Sequence, residues 1–273
     1  MWILLGFIIL ILGFYIFIIF PSPVKKEEFK RFARRSYAHR GLYDNNAECP
    51  ENSLIAFSSA AENGYGIELD LQMTNDGKLV VFHDADFFRA AEIKQCVSAM
   101  NFDEIRKIKI FGSSETTPLF SEVLNIVNER VPLILEIKSD PKRTNEICNC
   151  VCKELLNYNG DYCIESFDPF VLRWFRKNAS DIVRGQLSMG KKGYLSEITS
   201  VKAFLASNLL INSISRPNFV AYRHQDRGFG FFVSKLLGAK TVMWTVDDIN
   251  EQLKLQKTED AIIFEGFLPI AEW

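Results

Sequence analysis

Glu68 and Asp70 stand two apart in the run Gly66-Ile67-Glu68-Leu69-Asp70-Leu71. In an extended strand that spacing puts both side chains on one face. Two carboxylates side by side repel unless a cation or a proton lies between them. Glu136, in the later run Leu133–Lys138, offers a third oxygen donor, and three carboxylates with no cysteine nearby suit a hard divalent ion, Ca²⁺ or Mg²⁺. Taken alone, the Glu-x-Asp pair also fits a solvated strand edge beside lysines. Its neighbours decide the reading. The chain has three histidines, so imidazole chemistry must fall to His39, His83 or His224. His39-Arg40-Gly41 joins a group that titrates near neutral pH to a planar donor fork suited to phosphate oxygens, and then to a residue that allows a sharp turn. His83 supplies a second imidazole, and Lys138, two residues beyond Glu136, a further positive charge. One acid plus one base beside a cation, an arginine and a lysine describes a phosphodiester site better than an acyl-transfer one.

Such a site needs elements that bring these residues together. From Ser36 onward, short apolar runs alternate with helical patterns. The expected strands are Ser36–His39, Gly66–Leu71, Leu133–Lys138, Tyr162–Phe167, Ile182–Leu187, Asn218–Tyr222, Thr241–Val246 and Ala261–Phe264. Helical patterns fall between them at Asn52–Asn63, Ser121–Glu129, Thr144–Leu156, Pro169–Lys177 and Ile249–Leu255. The alternation predicts a parallel sheet with helical crossovers, and eight units predict an α/β fold of the closed TIM (β/α)8 barrel type. A doubly wound open sheet is the alternative, and no G-x-G-x-x-G follows the first strand to favour it. Leu79–His83 breaks the alternation. It follows Asn75-Asp76-Gly77, a hairpin signal, and folding back about Asp76 carries His83 to the place where Glu68 and Asp70 point. The candidate ligands and His39 then lie near strand C-termini, where barrel enzymes place their sites.

Met1 to Phe20 carries no charge and is almost entirely Ile, Leu, Phe and Trp. Twenty helical residues reach about 30 Å, the thickness of a bilayer core. The stretch lacks the basic start and small-residue exit of a cleaved signal peptide, and it reads as an uncleaved single-pass anchor. Lys25, Lys26, Lys30, Arg31, Arg34 and Arg35 follow it and no basic residue precedes it, which predicts a cytoplasmic C-terminal domain at the cell membrane. The expected organisation is an anchor at 1–20, a basic juxtamembrane linker at 21–35 and the barrel at 36–273. Phe29 and Phe32 in the linker are expected either against lipid headgroups or on a solvated helix.

A net charge of −2 over 273 residues argues against a nucleic-acid binder working through a basic surface. The chain is 13% aromatic, which excludes a mainly disordered one, and six cysteines are too few for a disulfide scaffold. Gly185 to Lys192 reads G-x-x-x-x-G-K-K, but lacks the closing Ser or Thr of a nucleotide-binding loop. No G-x-S-x-G elbow is present. His224, among Arg223, Gln225, Asp226 and Arg227, is expected to be solvated. Trp244 closes a strand on the site side, where it serves either as a substrate contact or as a core aromatic. Gly6 and Gly13 form no helix-association motif, and the oligomeric state is left open.

His39-Arg40-Gly41, Pro50-Glu51-Asn52-Ser53, Glu68-Leu69-Asp70, Thr74-Asn75-Asp76-Gly77, Val80-Val81-Phe82-His83-Asp84 and Leu135-Glu136-Ile137-Lys138 together resemble the glycerophosphodiester phosphodiesterases. Ser166-Phe167 and Trp244-Thr245-Val246 extend the resemblance through nearly all of the chain after the linker. It implies a TIM barrel, one divalent cation, and hydrolysis of glycerophosphodiesters to sn-glycerol 3-phosphate and an alcohol. By position, His39 and His83 correspond to the general acid and base, and Glu68, Asp70 and Glu136 to the metal ligands. Arg40 and Lys138 correspond to phosphate contacts, and Glu51 to a supporting hydrogen-bonding residue. Phe264-Glu265-Gly266-Phe267 departs from the family's Thr-Asp-x-Pro-like stretch, and Asp247 stands where Asn is commoner. These departures bear on the substrate end of the pocket. The anchor also admits a lysophospholipid or other lipid diester as substrate, and a catalytically silent membrane-tethered binding module is the remaining alternative. The segment after His83-Asp84 reads as too short for a large inserted subdomain.

Overall fold

The computed structural model describes residues 2–138 and 140–273; Met1, the first residue of the expected anchor, lies outside them. The strands are β1 (Ser36–His39), β2 (Gly66–Met73), β3 (Leu79–Val81), β4 (Asp86–Phe87), β5 (Ile93–Cys96), β6 (Leu133–Ile137), β7 (Tyr162–Ser166), β8 (Arg184–Ser188), β9 (Phe219–Arg223), β10 (Lys240–Val246) and β11 (Ala261–Phe264). Parallel pairing runs β1-β11-β10-β9-β8-β7-β6-β2, and β1 also pairs with β2, so the eight strands close into the expected barrel. Closure gives each barrel strand a neighbour on both sides. β1 stops at His39 while β2 continues to Met73, and the exposed backbone of Leu71–Met73 is taken up by β3, antiparallel, with Leu71 opposite Val81 and Met73 opposite Leu79. The Asp-Gly hairpin is therefore present in the expected place.

Alternation along each strand divides the apolar residues between two cores. Ile67, Leu69, Leu135, Ile164, Val220 and Ile262 face outward against the helices, while Tyr37, Ile134, Cys163, Phe219, Val242 and Ile263 fill the barrel. The sequence 21–35 is not simply a linker. Its short helix α2 (Lys26–Lys30) seats Phe29 and Phe32 in that inner cluster, at 2% and 3% exposure. Phe29 packs 6.0 Å from Phe219, and the Tyr37 hydroxyl donates to the Phe32 carbonyl at 3.0 Å. They close the barrel floor, so neither ring is available to a lipid or to solvent. An open barrel end would leave these strand-start side chains facing water, and two aromatic rings remove that surface.

The chain between β3 and β6 builds more than the sequence reading allowed. It holds the β4–β5 hairpin and short helical turns, with Phe82, Phe87, Val97, Ile105 and Ile110 in a separate apolar cluster beside the barrel mouth. Among the described residues one helix, α1 (Trp2–Ile19, 18 residues), is long and apolar enough to cross a membrane.

Candidate active site

The expected site residues lie in or just after strands, except Glu51, which lies in the loop after β1. His39 ends β1, Glu68 and Asp70 lie in β2, and Glu136 lies in β6. His83 follows β3 and Lys138 follows β6. Register aligns His39 with Glu68 and Asp70 with Glu136, so barrel closure gathers them at one level of the mouth. After His39 the backbone turns through Arg40 (φ 59°) and Gly41 (φ 87°). A side chain at Gly41 would lie 2.9 Å from Ala56, at the start of helix α3 (Leu54–Glu62). Glycine is thus required twice over, by its conformation and by this close approach.

Glu68, Asp70 and Glu136 are buried, and one oxygen from each lies within 4.8 Å of the other two. Burial pushes the Glu68 carboxyl well above its ordinary range, and the charges of Asp70 and Glu136 push the same way. Burial acts on Asp70 too, but Lys138, His83 and Arg40 outweigh it and hold this carboxyl far below its ordinary range. Lys138 Nζ lies 2.7 Å from Asp70 and 2.8 Å from Glu136. Asn52 Nδ2 donates to the other Asp70 oxygen at 2.8 Å. A buried, all-oxygen set with three carboxylates and this much unfavourable charge fits a hard divalent ion. Lys138 is directed at two of the same carboxylates rather than at an open position.

Arg40 Nη1 donates to Glu51 at 2.7 Å, and its Nε stands 3.5 Å from Asp70. Glu51 also accepts two bonds from Arg89, at 2.8 and 2.6 Å. Burial alone would raise Glu51, yet Arg89 and Arg40 pull it down to about 2. Arg89 comes from the inserted segment and additionally donates to Asp84 at 2.7 Å, so Glu51 ties that segment to the Arg40 turn.

Both histidines are held through Nδ1. His39 Nδ1 lies 2.6 Å from Glu265 Oε2, and His83 Nδ1 lies 2.6 Å from Asp84 Oδ1. A carboxylate accepting from Nδ1–H fixes the tautomer in which Nε2 carries the lone pair. His39 Nε2 faces Glu68 at 3.9 Å. The His39 hydrogen bond, despite partial burial, brings Glu265 below its ordinary range. Tyr43 also donates to Glu265, at 3.3 Å.

Trp244 lies on the opposite wall. Its ring meets Phe167 edge-on at 5.8 Å, and Phe167 meets Tyr194 at 6.1 Å. The mouth therefore has a charged side, from β1, β2 and β6, and an aromatic side.

Four polar residues escaped the sequence reading. Glu265 sat inside the divergent motif, and Asp84 directly after a quoted histidine, so each carried a local signal. Glu165 stands in register with Glu136 at the end of β7, buried, with one oxygen unpartnered among the described residues and its carboxyl pushed far up by burial and by Glu136. Strand alternation alone places it in the barrel. Arg89 had no signal. His224 was expected in solvent but is buried at 6% exposure, because the short helical turn after β9 folds it inward. Gly185 lies within β8 under the Phe219 ring, so no phosphate-binding loop starts there.

The profile of the glycerophosphoryl diester phosphodiesterase family matches residues 39–264. The chain belongs to that family. Among curated relatives, a glycerophosphodiester phosphodiesterase of Bacillus altitudinis is 37% identical over 109 residues, which is 37% of this chain and 43% of the relative. One from Caldanaerobacter subterraneus subsp. tengcongensis is 34% identical over 160 residues, 55% of this chain and 65% of the relative. The matched parts thus span less than two thirds of these relatives. An Oleispira antarctica phosphodiesterase solved with the product sn-glycerol-3-phosphate superposes with a TM-score of 0.70 at 21% identity, covering 85% of this chain and 93% of that one. At that identity it speaks for the barrel fold.

Proposed function

We propose that this chain hydrolyses glycerophosphodiesters to sn-glycerol 3-phosphate and an alcohol, using one divalent cation and two histidines. The observation that carries the proposal is the buried Glu68–Asp70–Glu136 triad, flanked by two imidazoles whose Nδ1 atoms are each held by a carboxylate. Glu68, Asp70 and Glu136 would hold the ion, Ca²⁺ or Mg²⁺, whose chemistry there is to neutralise charge on the phosphate oxygens.

The chain's own residues do the rest. Arg40, fixed by Glu51, presents its guanidinium to a non-bridging phosphate oxygen, and Lys138 adds charge once a substrate competes for it. One histidine takes the proton from the attacking oxygen at Nε2. The other, protonated, gives its proton to the leaving alcohol oxygen as the P–O bond breaks. Attack by water gives the products directly. Attack by the glycerol 2-hydroxyl gives a cyclic phosphate, which water opens with the two histidines exchanging roles. Glu265 and Asp84 hold the histidines for either route. The aromatic wall of Trp244, Phe167 and Tyr194 faces this machinery and suits the alcohol part of the diester.

That wall and α1 also favour a lipid diester, such as a lysophospholipid, at a membrane where α1 is a single-pass anchor with the barrel on the cytoplasmic side. The test is release of sn-glycerol 3-phosphate from glycerophosphocholine, with Ca²⁺, Mg²⁺ or chelator, beside a His39→Ala control. Metal-dependent release lost in the control is expected. Metal-independent release, or full activity of His39→Ala, would overturn the assignment.

A further inference from the structure

Two adjoining helices, the second of which packs on α1, carry apolar residues on the side turned away from the barrel. On the Ser200–Ser207 helix these are Val201, Phe204 and Leu205, exposed by 70%, 50% and 37%. On the Phe229–Leu236 helix they are Phe229, Phe232 and Leu236, exposed by 69%, 55% and 86%. The spacings i, i+3, i+4 and i, i+3, i+7 each describe one helical stripe. Both helices also bury a second set, Ala203 and Ala206 on one and Phe231 on the other, so the outward stripes are additional to what folding needs. The helices adjoin: Gly230 seats so closely on Asn208, just past the first helix, that a side chain there would strike its backbone. Contiguous exposed aromatic surface of this kind marks a docking face.

The path of α1 identifies what covers it. Ser22, just after α1, donates to the Pro217 carbonyl before β9, and Arg216 donates to the carbonyls of Phe17 and Phe20. One turn further toward the N-terminus, the Tyr15 ring stacks 5.9 Å from Phe229. Trp2 to Phe14 then projects free of the barrel by about 20 Å at a rise of about 1.5 Å per residue. A bilayer core is about 30 Å thick, so that free length falls short. Spanning draws on Tyr15–Ile19 as well, and these residues bring Phe229 and its stripe down to the lipid. Exposed Lys191 and Lys192 lie on the segment before the first helix and Lys202 on that helix itself, where anionic headgroups attract them.

We infer that the flank formed by the Ser200–Ser207 and Phe229–Leu236 helices docks on the bilayer that α1 enters, laying the barrel on its side with the mouth rim at the lipid. Phe229 follows the C-terminal end of β9, so this rim is the one that holds the candidate site. The site then draws diesters held in the membrane plane. That substrate consequence rests on the proposed phosphodiesterase function; the docking does not.

The test uses the full chain reconstituted in phosphatidylcholine vesicles containing phosphatidylglycerol. A tryptophan is introduced by Phe232→Trp on the flank, or by Leu156→Trp away from it, at the end of the helix between β6 and β7, where Leu156 is 79% exposed. Acyl-brominated lipid is expected to quench the added emission of Phe232→Trp and to leave that of Leu156→Trp unchanged. Equal quenching of both, or none at Phe232→Trp, would overturn the docking. A second variant, Phe229→Ser/Phe232→Ser/Leu236→Ser, is expected to cleave lysophosphatidylcholine in vesicles about tenfold or more slowly while cleaving soluble glycerophosphocholine at the parent rate. Parent rates on both would overturn delivery from the membrane plane. Failure of the parent on both substrates would instead remove the phosphodiesterase reading and leave the quenching result to decide the docking.

Discussion

Glu265→Gln isolates the mechanical link between the last strand and the first. Glu265 Oε2 accepts from His39 Nδ1 at 2.6 Å, a charge-assisted bond in a partly buried pair. The amide keeps the volume and removes the charge. It can also present an N–H to Nδ1, which turns the imidazole to the wrong tautomer. A hydrogen bond to a charged group contributes roughly 1.5–3 kcal/mol. If that amount holds His39 only as the proton moves, kcat falls by roughly 10- to 150-fold. KM should change little, because Glu265 is placed to touch the histidine and not the phosphate. The assay is steady-state release of sn-glycerol 3-phosphate from glycerophosphocholine at saturating metal, with thermal unfolding as a check on the fold. Glu265→Asp, shorter by one methylene, should recover part of the loss because the charge returns. A kcat within about threefold of the parent, with a normal fold, would refute the argument that His39 works through Nε2 with Nδ1 held.

Further perturbations test the site and its frame. Glu136→Gln should weaken divalent-ion binding at least tenfold by calorimetry, since one of three charged donors is lost. Glu51→Gln tests linkage. The Glu51 carboxyl titrates at about 2, against an ordinary value near 4.3, so its stabilisation is fully present above about pH 4.3 and is lost as pH falls toward 2. The parent should therefore exceed the variant by on the order of 3 kcal/mol in denaturant unfolding at pH 6, with the gap closing below pH 4. Gly41→Ala should cost roughly 2 kcal/mol or more, read by the same unfolding curve, because alanine meets both a positive φ and the Ala56 backbone. Phe29→Ala should cost about 3–5 kcal/mol by opening the barrel floor; a loss under 1 kcal/mol would return residues 21–35 to the status of a linker.

Strand positions were legible in the sequence because alternation and turn chemistry are local. The bounds of β1 and β11 coincide with the apolar runs, and the other barrel strands shift by one or two residues at their ends. The Asp76-Gly77 signal placed β3, since that turn's backbone twist suits a hairpin and few other connections. Glu68, Asp70, Glu136, His39 and His83 were legible for a related reason. Charged and imidazole side chains at the C-terminal ends of apolar strands are expensive to bury without a task, so their presence there marks a candidate site.

Partners across the barrel are another matter. His39 and Glu265 are 226 residues apart, and only ring closure with its particular register sets them in contact. Arg89 reaches Glu51 because the inserted segment packs its own apolar cluster beside the mouth, which no periodicity announces. Phe29 and Phe32 look like membrane-proximal residues beside an apolar helix, yet the open floor of a closed barrel buries them. A sequence states what each residue prefers one element at a time. Which preferences are satisfied together, and which charges must share one buried space, is decided by the tertiary packing, because desolvation and pairing depend on neighbours in space.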